Sequence, residues 1–255
     1  MRRVLAIALM TFTEAVRDRV LYTILVFALA MIGSSAVLVT ISVGGEGRIV
    51  KDLGLACITL FGLFIAVFIG IRLVSREIER RTVLLLLSRP VGCGAFLVGK
   101  FIGLALTLLV NVGAMALGLV LLARMLEGEW TPPLLLAGGF AFLELTILTA
   151  FSILFATFST PTLSTVFTLL VFVIGRLSRD LVAFASQFDS LSLHVTASAI
   201  YYTLPNLSRF TLGSLGAGGP LPSEATLLLT AAYGLGYLTA VLALATAIFQ
   251  RRDFQ

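Results

Sequence analysis

Long apolar runs, separated by short charged segments, dominate the chain. Val20 to Val43 carries no charge, over a length sufficient to cross a bilayer core about 30 Å thick, which takes about 20 helical residues. Leu53–Ile71, Phe101–Ala123 and Ala225–Phe249 are runs of the same kind, and Pro132–Phe158 is interrupted only by Glu144. Thr160–Gly175 is shorter and opens on Pro161, a residue tolerated in a first helical turn. Membrane barrels need alternating strands of about ten residues, whereas these runs are continuous and rich in Leu, Ala and Phe. The pattern predicts an all-α integral membrane protein with six transmembrane helices, forming one transmembrane domain over 1–255.

Two segments outside the runs carry patterns of their own. At 100° per residue, Val4, Leu5, Ala8, Leu9, Phe12, Ala15 and Val16 share one side of the N-terminal segment. Arg2, Arg3, Glu14, Arg17 and Asp18 share the other, with Ile7 and Met10 as exceptions. This predicts an amphipathic interfacial helix over 1–19, retained rather than cleaved, because no small-residue cleavage site follows the short apolar stretch. A cytosolic helix packing on a partner is the alternative. Residues 176–223 form an outer-side segment, apolar up to Leu204 but broken by Asp180, Gln187, Asp189 and His194. It predicts short outer-side helices before the last span, then a turn region through Pro205, Gly213–Gly219, Pro220 and Pro222.

Composition agrees with this pattern and charge orients it. Hydrophobic residues make up 59% and charged residues 12% of the chain, about half the charge of a soluble domain, and the mean hydropathy is +1.08. With the N-terminus inside, twelve of the 18 Lys and Arg residues fall in inside segments, including Arg72 to Lys100 and the terminal Arg251-Arg252. Basic residues favour the cytosolic side, so both termini are expected there. The net charge of +5 is then a topology signal, and no nucleic-acid partner is expected. A seventh crossing would carry Arg251-Arg252 to the outside, against that asymmetry.

Catalytic chemistry is sparse. His194 is the single histidine, and Cys57 and Cys93 form no metal spacing, so no catalytic residue, metal site or cofactor is expected on this chain. Gly94 to Lys100 has the G-x-x-x-x-G-K spacing of a phosphate-binding loop, but Phe101 stands where Ser or Thr would hold magnesium. Close packing by the glycines, with Lys100 anchoring the span at the inner interface, is the preferred reading. Glu144 is the main intramembrane polar residue, since a mid-span carboxylate costs on the order of 3 kcal/mol and must face protein or water. Two readings stay open for it: a substrate-path or proton-coupling group, or a packing group bonded to Thr146, Thr149 or Asn111. Small residues four apart, at Gly99 and Gly103 or at Gly236 and Ala240, suit close helix contacts.

The loop between the second and third runs, 72–100, joins a charged turn to a short leucine run that ends at Arg89-Pro90. Its motifs are Glu77, Thr82, Leu84 to Leu87, Ser88-Arg89-Pro90-Val91 and Phe96-Leu97-Val98-Gly99-Lys100. In these the chain resembles permease subunits of type-2 ABC transporters, closest to the branch associated with maturation of multicopper enzymes. Glu14-Ala15, Arg17 and Arg19 before the first span, and Leu204 to Arg209 before the last, extend the likeness to essentially the whole chain. Arg81 and Cys93 depart from the usual glycine and basic residue.

The resemblance implies a permease that pairs with a second copy or paralogue and rests on a cytosolic ABC ATPase dimer, which would bind the ATP and magnesium. It implies an ATPase-coupling surface at Arg76, Glu77, Glu79, Arg80, Arg81, Thr82, Ser88, Arg89 and Pro90, in a bacterial inner membrane. Two functions follow from it as readings, an ATP-driven exporter and a machine transmitting conformational change to a periplasmic protein without moving a solute. A proton-coupled carrier using Glu144 is a third reading, from another class.

Overall fold

A computed structural model describes residues 2–39, 46–79, 93–128, 131–185, 198, 201, 203–211 and 222–252. Eight α-helices are described. They are α1 (Arg2–Val16), α2 (Arg19–Val39), α3 (Glu46–Phe64), α4 (Gly70–Glu79), α5 (Cys93–Glu127), α6 (Pro132–Phe158), α7 (Pro161–Ala185) and α8 (Glu224–Arg252). A π-helical turn, Ile65–Ile69, joins α3 to α4 in one unbroken rod, and a short 3₁₀ turn lies at Leu207–Arg209. The protein is an all-α membrane protein.

Among the described residues, five segments are long and apolar enough to cross a membrane: Val50–Leu73, Gly94–Leu126, Pro132–Phe158, Pro161–Leu181 and Glu224–Arg251. They fall on the second to sixth predicted runs. The first run begins on α2, a shorter apolar helix over its described part, and its end at residues 40–43 lies outside the described residues. Helix α7, on the fifth predicted run, does not stop at Gly175 but continues to Ala185, so Arg176 belongs to the span rather than to the segment after it.

The core runs along α3, α5 and α6, where Ile58, Met115, Leu119, Leu145, Leu148 and Ile153 are buried. Pro132 and Pro133 open α6 at positions where missing N–H groups cost nothing. Only residues 159–160 separate α6 from α7, so the two form a tight antiparallel hairpin. Helix α8 is held at its C-terminal end by Phe249, stacked on Phe96 with centroids 6.3 Å apart. It exposes Leu228, Leu229, Leu235 and Leu244.

Helix α1 departs from the predicted stripe. Ile7, one of the two exceptions, packs on Gly99, and a Cβ added at Gly103 would stand 2.6 Å from the Ala8 carbonyl oxygen. Backbone-close docking onto α5 therefore requires glycine at 103. The buried side is Ala8, Thr11 and Ala15, while Leu5, Leu9 and Met10 are exposed. The helix thus has a protein-facing side and a second apolar side, not the single stripe the wheel shows.

Candidate functional site

The end of the bundle carrying α1 is the proximal end, and the opposite one the distal end. At the proximal end, Asp18 turns the chain from α1 into α2: its Oδ1 accepts the Val20 N–H at 3.1 Å, as an N-cap residue does. The other carboxylate oxygen pairs with the Arg72 guanidinium, tying this turn to α4. Positions Arg76, Glu77 and Glu79 occupy the last turns of α4. Arg80, Arg81, Thr82, Ser88, Arg89 and Pro90 lie outside the described residues.

The stretch from Gly94 to Lys100 is part of helix α5. Its backbone N–H groups after the first turn are spent on helical bonds, so it is not a phosphate cradle. Lys100, expected to anchor the span at the inner interface, is not an exposed side chain. Its side chain is buried beneath α1, with Nζ 3.8 Å from Glu14 Oε2 and 6.0 Å from the Phe96 ring centroid.

The distal half holds the intramembrane acid. Glu144, on α6, is 1% exposed. It accepts hydrogen bonds at both oxygens from Arg176 on α7, Nε to Oε1 at 2.9 Å and Nη2 to Oε2 at 3.0 Å. This fork-to-fork geometry is the strong form of an ion pair. Thr146, Thr149 and Asn111, the partners anticipated for Glu144, turn away from it. Their side chains donate to the carbonyls of Leu143, Leu145 and Thr107 on their own helices. Short polar side chains bond back onto the preceding turn whenever no better partner is near, and Arg176 reaches Glu144 first. The Arg176 guanidinium also lies 5.4 Å from the Phe172 ring centroid.

The pair borders a cavity of about 220 Å³, whose lining includes Asp52 and Thr59 of α3, Ala141, Phe210 and Thr211. Phe210 and Thr211 come from the segment before the last span. That segment is wedged in: Leu207 and Phe210 are buried, and Gly175 accommodates Leu207 and the Pro205 carbonyl, each 2.8 Å from where a Cβ would stand. Asn206 N–H donates to the Tyr233 hydroxyl at 2.9 Å, and Tyr237 donates to the Thr203 carbonyl at 2.9 Å. Just outside it, the Arg209 guanidinium lies 3.5 Å from the Tyr201 hydroxyl and holds that phenol below its ordinary pKa. The motif Leu204 to Arg209, read as a turn, is thus a plug joining α7 to α8.

A bundle of helices long and apolar enough to cross a membrane marks an integral membrane protein. The sequence model of the family described as ABC-2 family transporter protein matches residues 5–254, and the chain belongs to that family. It is therefore the permease component of an ABC transporter, a family whose members associate with an ABC ATPase. No curated protein matches the sequence closely.

Proposed function

We propose that the chain is the membrane-spanning half of an ATP-driven exporter in the bacterial inner membrane, with both termini cytosolic. It pairs with a second permease copy or paralogue and rests on two ATPases, which bind the ATP and magnesium. Supporting this reading is the rod from Glu46 to Glu79, which runs without a break from the distal half to positions Arg76, Glu77 and Glu79. A displacement of its proximal end travels along its whole length and, through the Asp18–Arg72 pair, into α1. The placing of twelve of the 18 Lys and Arg residues in the inside segments supports the orientation.

Co-purification with a co-expressed ABC ATPase encoded beside the chain tests it. The combined charge reversals Glu77→Lys and Arg80→Glu are expected to abolish the complex while the permease stays monodisperse. An intact complex in that variant overturns the coupling surface.

Transmission to a periplasmic partner is a second reading, favoured by the plug at Leu204–Thr211, which links α7 and α8 to whatever contacts the distal face. Loosening it with Gly175→Leu is expected to uncouple such a partner without lowering basal ATP hydrolysis. The carrier reading is disfavoured by the occupancy of both Glu144 oxygens. It predicts pH-driven transport by this chain alone, abolished in Glu144→Gln.

A further inference from the structure

The proximal end holds a second and larger hollow. A cleft of about 880 Å³ opens between the start of α2, the π turn with α4, and the first two turns of α7. Its walls are apolar, built from Val20, Ile24, Phe64, Phe68, Ile69 and Val166, and its polar end holds Arg72, Ser75, Thr162 and Thr165. The π turn forms part of this wall, and such turns interrupt α-helices most often at functional sites.

Two observations at the polar end point outside the chain. The Ser75 side chain is buried, and its hydroxyl has no hydrogen-bond partner among the described residues. A buried hydroxyl in that condition carries its full desolvation cost until an acceptor arrives. The Arg72 guanidinium is joined to Asp18 by one nitrogen, yet its side chain remains 40% exposed. Arg17 and Arg19, next to Asp18 in the sequence, are exposed, and of the basic residues Arg72 lines the cleft itself.

We propose that this cleft binds an anionic phospholipid of the proximal leaflet. An acyl chain lies along Ile24, Phe64 and Phe68, and the phosphate reaches Arg72 and the Ser75 hydroxyl. Apolar walls offer water few partners along most of the cleft, and basic residues at a membrane surface draw acidic headgroups. A second copy of the chain would have to supply both the acceptor for Ser75 and the counter-charge, which a phosphate oxygen supplies at once.

Thermal unfolding of the delipidated full-length chain in neutral detergent tests the assignment. Added phosphatidylglycerol is expected to raise the melting midpoint by about 4 °C. Phosphatidylcholine of the same chains is expected to do much less, and inorganic phosphate nothing. Thr165→Trp, which fills the mouth, is expected to abolish the phosphatidylglycerol increment. Ser75→Ala serves as the second variant: it removes the orphan hydroxyl, so it is expected to keep or raise lipid-free stability while losing the preference for the anionic lipid. Equal responses to the two lipids would overturn the headgroup site, and an equal response to inorganic phosphate would replace the lipid by a free anion. A midpoint that follows protein concentration and ignores lipid would assign the cleft to a second copy.

Discussion

The two hollows sit at opposite ends of the same helices and are finished in opposite ways. Asp52 and Ser75, one in each, are 23 residues apart on one rod, or about 35 Å at 1.5 Å per residue. The distal cavity is small, and its buried acid is matched by the chain's own arginine at both oxygens. The proximal cleft is four times larger and ends in a hydroxyl that the described chain leaves unmatched. The distal pair is thus satisfied by the protein itself, fixing the α6–α7 hairpin. The proximal end, where the ATPase surface is proposed, is left to be completed by its surroundings.

The sharpest way to break this contrast is to separate the distal pair. Glu144→Leu leaves an unmatched guanidinium and Arg176→Leu an unmatched carboxylate. Removing one partner of a buried pair costs about 3 kcal/mol or more, with the larger loss expected for Arg176→Leu because Glu144 is the more deeply buried partner. The double variant Glu144→Leu/Arg176→Leu is expected to melt close to the unaltered protein. Equal damage in the double variant would show that the pair does more than hold the hairpin.

At the proximal end, Gly103→Leu drives a side chain into the Ala8 carbonyl. Overpacking of this kind costs about 1–3 kcal/mol. It is expected to release α1 alone, read as new protease sensitivity before Asp18 with the bundle intact. The smallest effect is expected at the turn itself. Asp18→Asn keeps the cap and loses only the ion pair, a change below about 1 kcal/mol for a partly exposed pair. Asp18→Ala loses the cap as well, about 1 kcal/mol more. A larger penalty for Asn than for this increment would make the Arg72 tie the dominant proximal fastening.

Most of the helical architecture was legible because lipid imposes a length and a polarity that no other environment does. Glu144 stood out for the same reason. Its partner did not, because Arg176 follows an apolar run and reads as a loop charge when basic residues are counted for orientation. The clue lay in depth: Glu144 is 14 residues before Phe158 and Arg176 is 15 after Pro161, so a hairpin with a two-residue connection sets them level. Of the two small-residue pairs, Gly99 and Gly103 receive α1, whereas Gly236 has nothing within 4 Å of a Cβ. Spacing alone does not say which glycines meet a helix. The plug and the cleft were not legible, since each depends on elements far apart in the chain and, for the cleft, on a π turn that periodicity does not announce.

The central claim is that this chain receives work from a separate ATPase through the proximal end of the Glu46–Glu79 rod. ATP hydrolysis by that ATPase, reconstituted in liposomes with and without the chain, tests it most directly. The account predicts stimulation by the unaltered chain and by the Glu144→Leu/Arg176→Leu variant, and loss of stimulation with Glu77→Lys/Arg80→Glu. Hydrolysis indifferent to the chain, or stimulation that survives the charge reversals, would contradict it.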